Sequence, residues 1–131
     1  MVTLAILGAL FAVLLATWVA HLEWVPGRQG GGYQKMMLAK SERFHFDCYL
    51  LWFPEGSHIP VHTDPSPDGF EHHRINIDLK TPPNGGITLV DGPCSQGEGF
   101  LYFRPDLYPH WMTTCIGGSM LIFSIGWLKR V

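Results

Sequence analysis

The sequence predicts a mainly β body of the sandwich or jelly-roll kind, preceded by a single apolar helix. Three observations carry this. The chain of 131 residues holds 15 Gly and 10 Pro, a density of turn formers that suits short strands rather than a helical bundle. Between the turns lie runs rich in aromatic and branched residues. One of them, His73–Lys80, alternates Ile75, Ile77 and Leu79 on one face with Arg74, Asn76, Asp78 and Lys80 on the other, the period-two pattern of a strand. Finally, the first twenty residues carry no charge.

That apolar run, MVTLAILGALFAVLLATWVA, makes about 30 Å of helix, the thickness of a bilayer core. Trp18 and Trp24 stand near its end, where indoles favour the membrane interface, and His21, Glu23 and Pro26-Gly27 terminate it. Residues 1–24 are therefore expected as a transmembrane anchor. A cleaved signal peptide and a helix packed on the body are the alternatives, the first lacking a preceding Lys or Arg and a small-x-small cleavage site. Arg28, Lys35 and Lys40 follow the run and none precedes it, which places the body on the cytoplasmic side; a soluble cytoplasmic protein is the alternative. Cys48, Cys94 and Cys115 are odd in number and widely spaced, as expected of reduced thiols.

Residues 25–44 read as a connector, because Gly27, Gly30, Gly31 and Gly32 crowd it; the run lacks the GK[ST] ending of a phosphate loop. Residues 45–131 form the body. Strands are expected at His45–Phe53, Ile59–Thr63, His73–Lys80, Ile87–Val90, Phe100–Phe103, Leu107–Met112 and Ser119–Trp127, separated by turns such as Pro54-Glu55-Gly56 and Pro82-Pro83-Asn84-Gly85-Gly86. Hydrophobic residues at 47 % exclude disorder, and a net charge of −2 excludes a general nucleic-acid surface.

The sharpest chemical feature is His62-Thr63-Asp64. Residues two apart on a strand point the same way, so an imidazole and a carboxylate share one side. His110 follows after 45 intervening residues, enough for three or four short strands to bring the chain back. Two His and one carboxylate make the facial triad of non-haem Fe(II) oxygenases, with open positions for further ligands. The competing reading has His62 and Asp64 as surface residues of a turn and His110 as a hydrogen-bonded structural residue.

Several stretches carry a family likeness, in order along the chain. They are Tyr49–Gly56, Ile59–Pro65, His72–Ile77, Phe103–His110 and Phe123–Trp127. Together they resemble the 2-oxoglutarate- and Fe(II)-dependent oxygenases of the small prolyl-4-hydroxylase-like kind found in bacteria and phages. The resemblance implies a double-stranded β-helix, iron ligation by His62, Asp64 and His110, 2-oxoglutarate as co-substrate and O₂ as oxidant. The chain departs from the pattern where the family places a basic residue on a late strand: Gly117-Gly118-Ser119-Met120-Leu121 has none before Lys129. Arg74 is the substitute, since a guanidinium fork suits a carboxylate, with Asn76 beside it on the same face. Ser119 adds one hydrogen bond, and Tyr49 keeps a hydroxyl on the strand where Phe53 replaces the usual Tyr. A surface pair of Arg74 with Asp78 is the plainer reading. His72 and His73 are expected as structural or rim residues, Arg104 and Asp106 as a turn-bracing pair, Trp111 and Trp127 as core. The expected activity is hydroxylation of an unidentified small-molecule or protein substrate. A non-catalytic metal- or ligand-binding relative is the alternative, and a metal hydrolase or isomerase on a similar barrel a third.

Overall fold

The structure is a computed structural model and describes residues 2–131. Helix α1 (Val2–Ala20) precedes ten strands: β1 (Val25–Pro26), β2 (Gln34–Ser41), β3 (Phe46–Phe53), β4 (Ile59–His62), β5 (Phe70–Lys80), β6 (Thr88–Val90), β7 (Ser95–Gly97), β8 (Phe100–Phe103), β9 (His110–Met112) and β10 (Met120–Arg130). Seven of them form the main sheet, in the order β1-β2-β3-β10-β5-β8-β7, and three form a small sheet, β4-β9-β6. The pairings are antiparallel. The expected jelly-roll body is thus present.

Strand β10 runs up the middle of the main sheet between β3 and β5. Its even-numbered residues Met120, Ile122, Ser124 and Gly126 are buried and the odd ones between them only partly so. The inner face is apolar at one end. There Phe53, Met120 and Ile122 of the main sheet meet Met112 of β9, with Tyr33 and Cys115 completing the cluster; Tyr33 stacks on Phe53 with ring centroids 5.1 Å apart. Towards the other end the inner face turns polar. Tyr49, Ser124 and Asn76 lie directly opposite one another on β3, β10 and β5, followed one step on by Asp47, Gly126 and Arg74. The inner face therefore has an apolar end and a polar one.

One expectation is corrected. Residues 25–44 are not a connector, because they contain β1 and β2. Gln34–Ser41 reads QKMMLAKS, with no β-branched residue and no clean alternation, and β2 takes its strand conformation from pairing with β3 along its length. The alternation in β5 marks a strand as expected, and its polar residues face inward: Asn76 is buried, and Ile77 and Leu79 are exposed. Of the readings of α1, the alternative of a helix packed on the body is not what the structure has. None of its residues is buried, and its side-chain contact with the sheet is the Trp18 indole N–H donating to the Leu38 carbonyl at 2.7 Å. The helix is long and apolar enough to cross a membrane, with a mean hydropathy of 2.4. The three cysteines are free. Strand β7, without apolar residues, was not foreseen.

Candidate metal centre and its cavity

His62 ends β4 and His110 opens β9, and the two lie directly opposite each other in the small sheet. The excursion between Asp64 and His110 holds four strands, β5 to β8. Their rings approach to 4.2 Å between centroids. Asp64 follows in the loop after β4, where its main-chain N–H donates to the Pro105 carbonyl at 2.8 Å. One ligand atom from each of the three residues lies within 4.8 Å of the others. Asp64 Oδ2 is 3.5 Å from His110 Nε2 and 3.9 Å from His62 Nε2.

Each imidazole is oriented by a main-chain carbonyl two residues upstream. His62 Nδ1–H donates to Pro60 at 2.8 Å, and His110 Nδ1–H donates to Tyr108 at 3.0 Å. A carbonyl only accepts, so each Nδ1 holds a proton and Nε2 is the ring nitrogen turned to the cluster. Burial lowers the pKa of His62, the Pro60 contact offsetting part of this, which favours the uncharged ring. Burial by itself would raise the Asp64 carboxyl, but the imidazoles of His110 and His62 and the Arg28 guanidinium outweigh it and bring it down to about 2. The donor set is two imidazole nitrogens and one carboxylate oxygen, a combination that suits a divalent first-row metal.

Arg28 and Gln29 complete the site, and the sequence reading missed both. Arg28 donates to Asp64 Oδ1 at 2.8 Å and Gln29 Nε2 to the same oxygen at 3.2 Å, leaving Oδ2 turned to the imidazoles. The glycines around them hold this loop against β4. Gly31 has φ +80°, and a Cβ there would overlap the His58 carbonyl, while its own carbonyl accepts from His58 N–H at 3.0 Å. The only sequence signal was the Gly cluster itself.

The three residues open into a cavity of about 370 Å³ that Tyr49, Arg74 and Asn76 also line. Arg74 does not pair with Asp78. Its guanidinium donates to Asp47 Oδ1 and to Ser124 Oγ, both at 2.8 Å, and Ser124 in turn donates to Asn76 Oδ1 at 2.6 Å. Gly126 makes room for this, since a Cβ there would overlap the Arg74 guanidinium. Ser119 is placed elsewhere. It precedes β10 on the odd, outward parity and accepts from Lys80 Nζ at 2.9 Å; Ser124 is the β10 hydroxyl that reaches the cavity wall. His72 faces the cavity, whereas His73 points outward to Tyr102 and Glu71 and stacks on Trp127. Arg104 grips Asp106 through two bonds, at 2.9 and 2.8 Å, the expected brace. Trp111 is only partly buried at the cavity, and Trp127 stacks on the outward-facing His73 and Tyr102, so neither lies in the core.

The fold and the cluster together define a cupin-type jelly roll with a candidate His-Asp-His metal site. Among solved structures of this fold, a prolyl-4-hydroxylase from Pseudomonas putida matches at TM-score 0.58 and 19 % identity, over 94 % of this chain and 85 % of that one. A cupin 2 conserved barrel domain protein from Rhodopseudomonas palustris matches at TM-score 0.58 and 13 % identity, over 85 % and 74 %. A predicted oxalate decarboxylase from Thermotoga maritima matches at TM-score 0.56 and 12 % identity, over 82 % and 92 %. At these identities the likeness is one of fold. No protein-family model matches the sequence, and no curated protein does.

Proposed function

We propose that this chain is an Fe(II)- and 2-oxoglutarate-dependent dioxygenase that hydroxylates an unidentified small-molecule or protein substrate. The observation that carries the reading is the arrangement of His62, Asp64 and His110 at the mouth of a cavity, with both Nδ1 protons held by carbonyls and both Nε2 atoms turned to Asp64 Oδ2. Bound to these three residues, Fe(II) would supply the oxidising chemistry, with 2-oxoglutarate and O₂ as co-substrates. The protein's own part is positional. His62 and His110 present lone pairs, Asp64 presents a charge fixed by Arg28 and Gln29, and the wall of Tyr49, Asn76, Ser124 and Arg74 offers polar groups to an acid in the cavity. A prolyl-4-hydroxylase among the structures of similar fold is consistent with this reading.

A second reading, a non-catalytic relative that binds a metal or ligand without turnover, is favoured by one observation: the Arg74 charge is already matched by Asp47. Succinate release from 2-oxoglutarate with Fe(II) and O₂ separates the two. The dioxygenase reading expects release in the wild type and none in His62→Ala. Equal release in both would remove the iron assignment, and iron binding without any release would favour the second reading. Helix α1 is proposed to anchor the chain in a membrane with the body on the cytoplasmic side; its exposed apolar surface supports this.

A further inference from the structure

Four cations line the cavity, Arg28, Lys35, Lys40 and Arg74. Three of them are matched by carboxylates: Arg28 by Asp64, Lys40 by Glu42 and Arg74 by Asp47. Lys35 is the exception. Among the described residues no carboxylate lies within ion-pair distance of it. It stands on β2 opposite Leu51, and its ammonium sits 5.4 Å from the centre of the Tyr49 ring, within reach of a cation–π attraction. The side chain is half-buried, so its charge is partly stripped of water and held by an aromatic face that cannot neutralise it. An unmatched, positioned cation in a partly desolvated cavity attracts an anion.

We propose that Lys35, seated over Tyr49, is the anion-binding group of this cavity, and that it takes the second carboxylate of a small diacid whose other end lies at the metal triad. This rests on the dioxygenase reading for the 2-oxo end of the ligand, but not for the carboxylate end. It moves the anchoring role away from Arg74. That guanidinium is a structural tie between β5, β3 and β10, bonded to Asp47 and Ser124, and its charge is already matched by Asp47.

The test compares two acids on the full chain loaded with Mn(II), which holds the site without turnover. One is 2-oxoglutarate; the other is 2-oxopentanoate, the same carbon chain with a methyl in place of the second carboxylate. The wild type is expected to prefer the diacid. Lys35→Met, which keeps the length and removes the charge, is expected to lose about 30-fold in diacid affinity and to leave 2-oxopentanoate unchanged, so that the preference collapses. Lys35→Arg restores most of it. Thermal unfolding of each variant checks that the fold persists. No preference in the wild type overturns the proposal. So does a preference that survives Lys35→Met, or one lost in Arg74→Lys while Lys35→Met retains it. Glutarate titrated into metal-free protein separates this from the parent reading. Lys35-dependent glutarate binding in a chain that fails to hold Mn(II) sustains the anion site and sinks the dioxygenase. Mn(II) binding with no Lys35 dependence for any acid does the reverse.

Discussion

His62 and His110 are set up alike: each gives its Nδ1 proton to the carbonyl two residues before it, Pro60 or Tyr108, and each turns Nε2 towards Asp64. Removing either ring takes away one of the three candidate ligands, so His110→Ala is expected to abolish Mn(II) binding in a direct titration. Arg28→Ala acts one shell further out and leaves Gln29 bonded to Asp64. Loss of such an outer partner typically costs 10–100-fold in affinity; with Arg28 largely exposed, the expected loss is about tenfold. An unchanged affinity in His110→Ala would remove the metal centre. The Arg104–Asp106 brace gives a pH-dependent expectation. Burial by itself would raise the Asp106 carboxyl, but the Arg104 fork and the His72 main chain outweigh it and set it below its ordinary value. The unfolded chain titrates at about 3.9. The stabilisation is therefore complete above that value and is lost as the pH falls through the lower folded one. Asp106→Asn is expected to lower Tm at pH 7 and to converge with the wild type at about pH 2. A Tm gap that persists unchanged in acid would contradict this origin.

At the scale of elements, β5 shows how much a strand pattern conveys. Period-two alternation identifies the strand, but not which face is buried. Arg74 and Asn76 point inward because the sheets enclose a polar cavity at that end, while Ile77 lies on the outer face. Strand β10 has no polar anchor of its own there beyond Ser124, and it contributes space instead. A methyl group at position 126 would push the guanidinium off Asp47 and Ser124, so Gly126→Ala is expected to cost about 1–3 kcal/mol in a denaturant titration. Loss of under about 0.5 kcal/mol would mean that β5 shifts without strain. Strand β2 was hidden for a related reason. Met36, Met37, Leu38, Ala39 and Lys40 carry no strong strand preference, and pairing with β3 decides their conformation. That strand and the loop before it bring Lys35, Arg28 and Gln29 to the site, so the residues least visible in the sequence sit beside the most visible ones.

At the scale of the molecule, the two sheets are pinned by the cluster around Phe53 and Met112, which also forms part of the cavity wall. The helix stands outside this body with its apolar side chains uncovered. About thirty ångströms of uncovered apolar helix is costly in water and favourable in a bilayer. The full chain is expected to remain in the membrane pellet after an alkaline carbonate wash; recovery in the supernatant would argue against the anchor.

The sequence by itself determined the strand-rich body, the apolar helix and the identity of the His62, Asp64 and His110 set. These depend on local turn chemistry, on uninterrupted apolar length and on a tripeptide whose spacing puts an imidazole and a carboxylate on one side. Which face of β5 looks inward, which charges are already matched and which cation is left over were decided only by the tertiary structure. Each depends on what stands across the sheet or across the cavity, and no run of neighbouring residues records that.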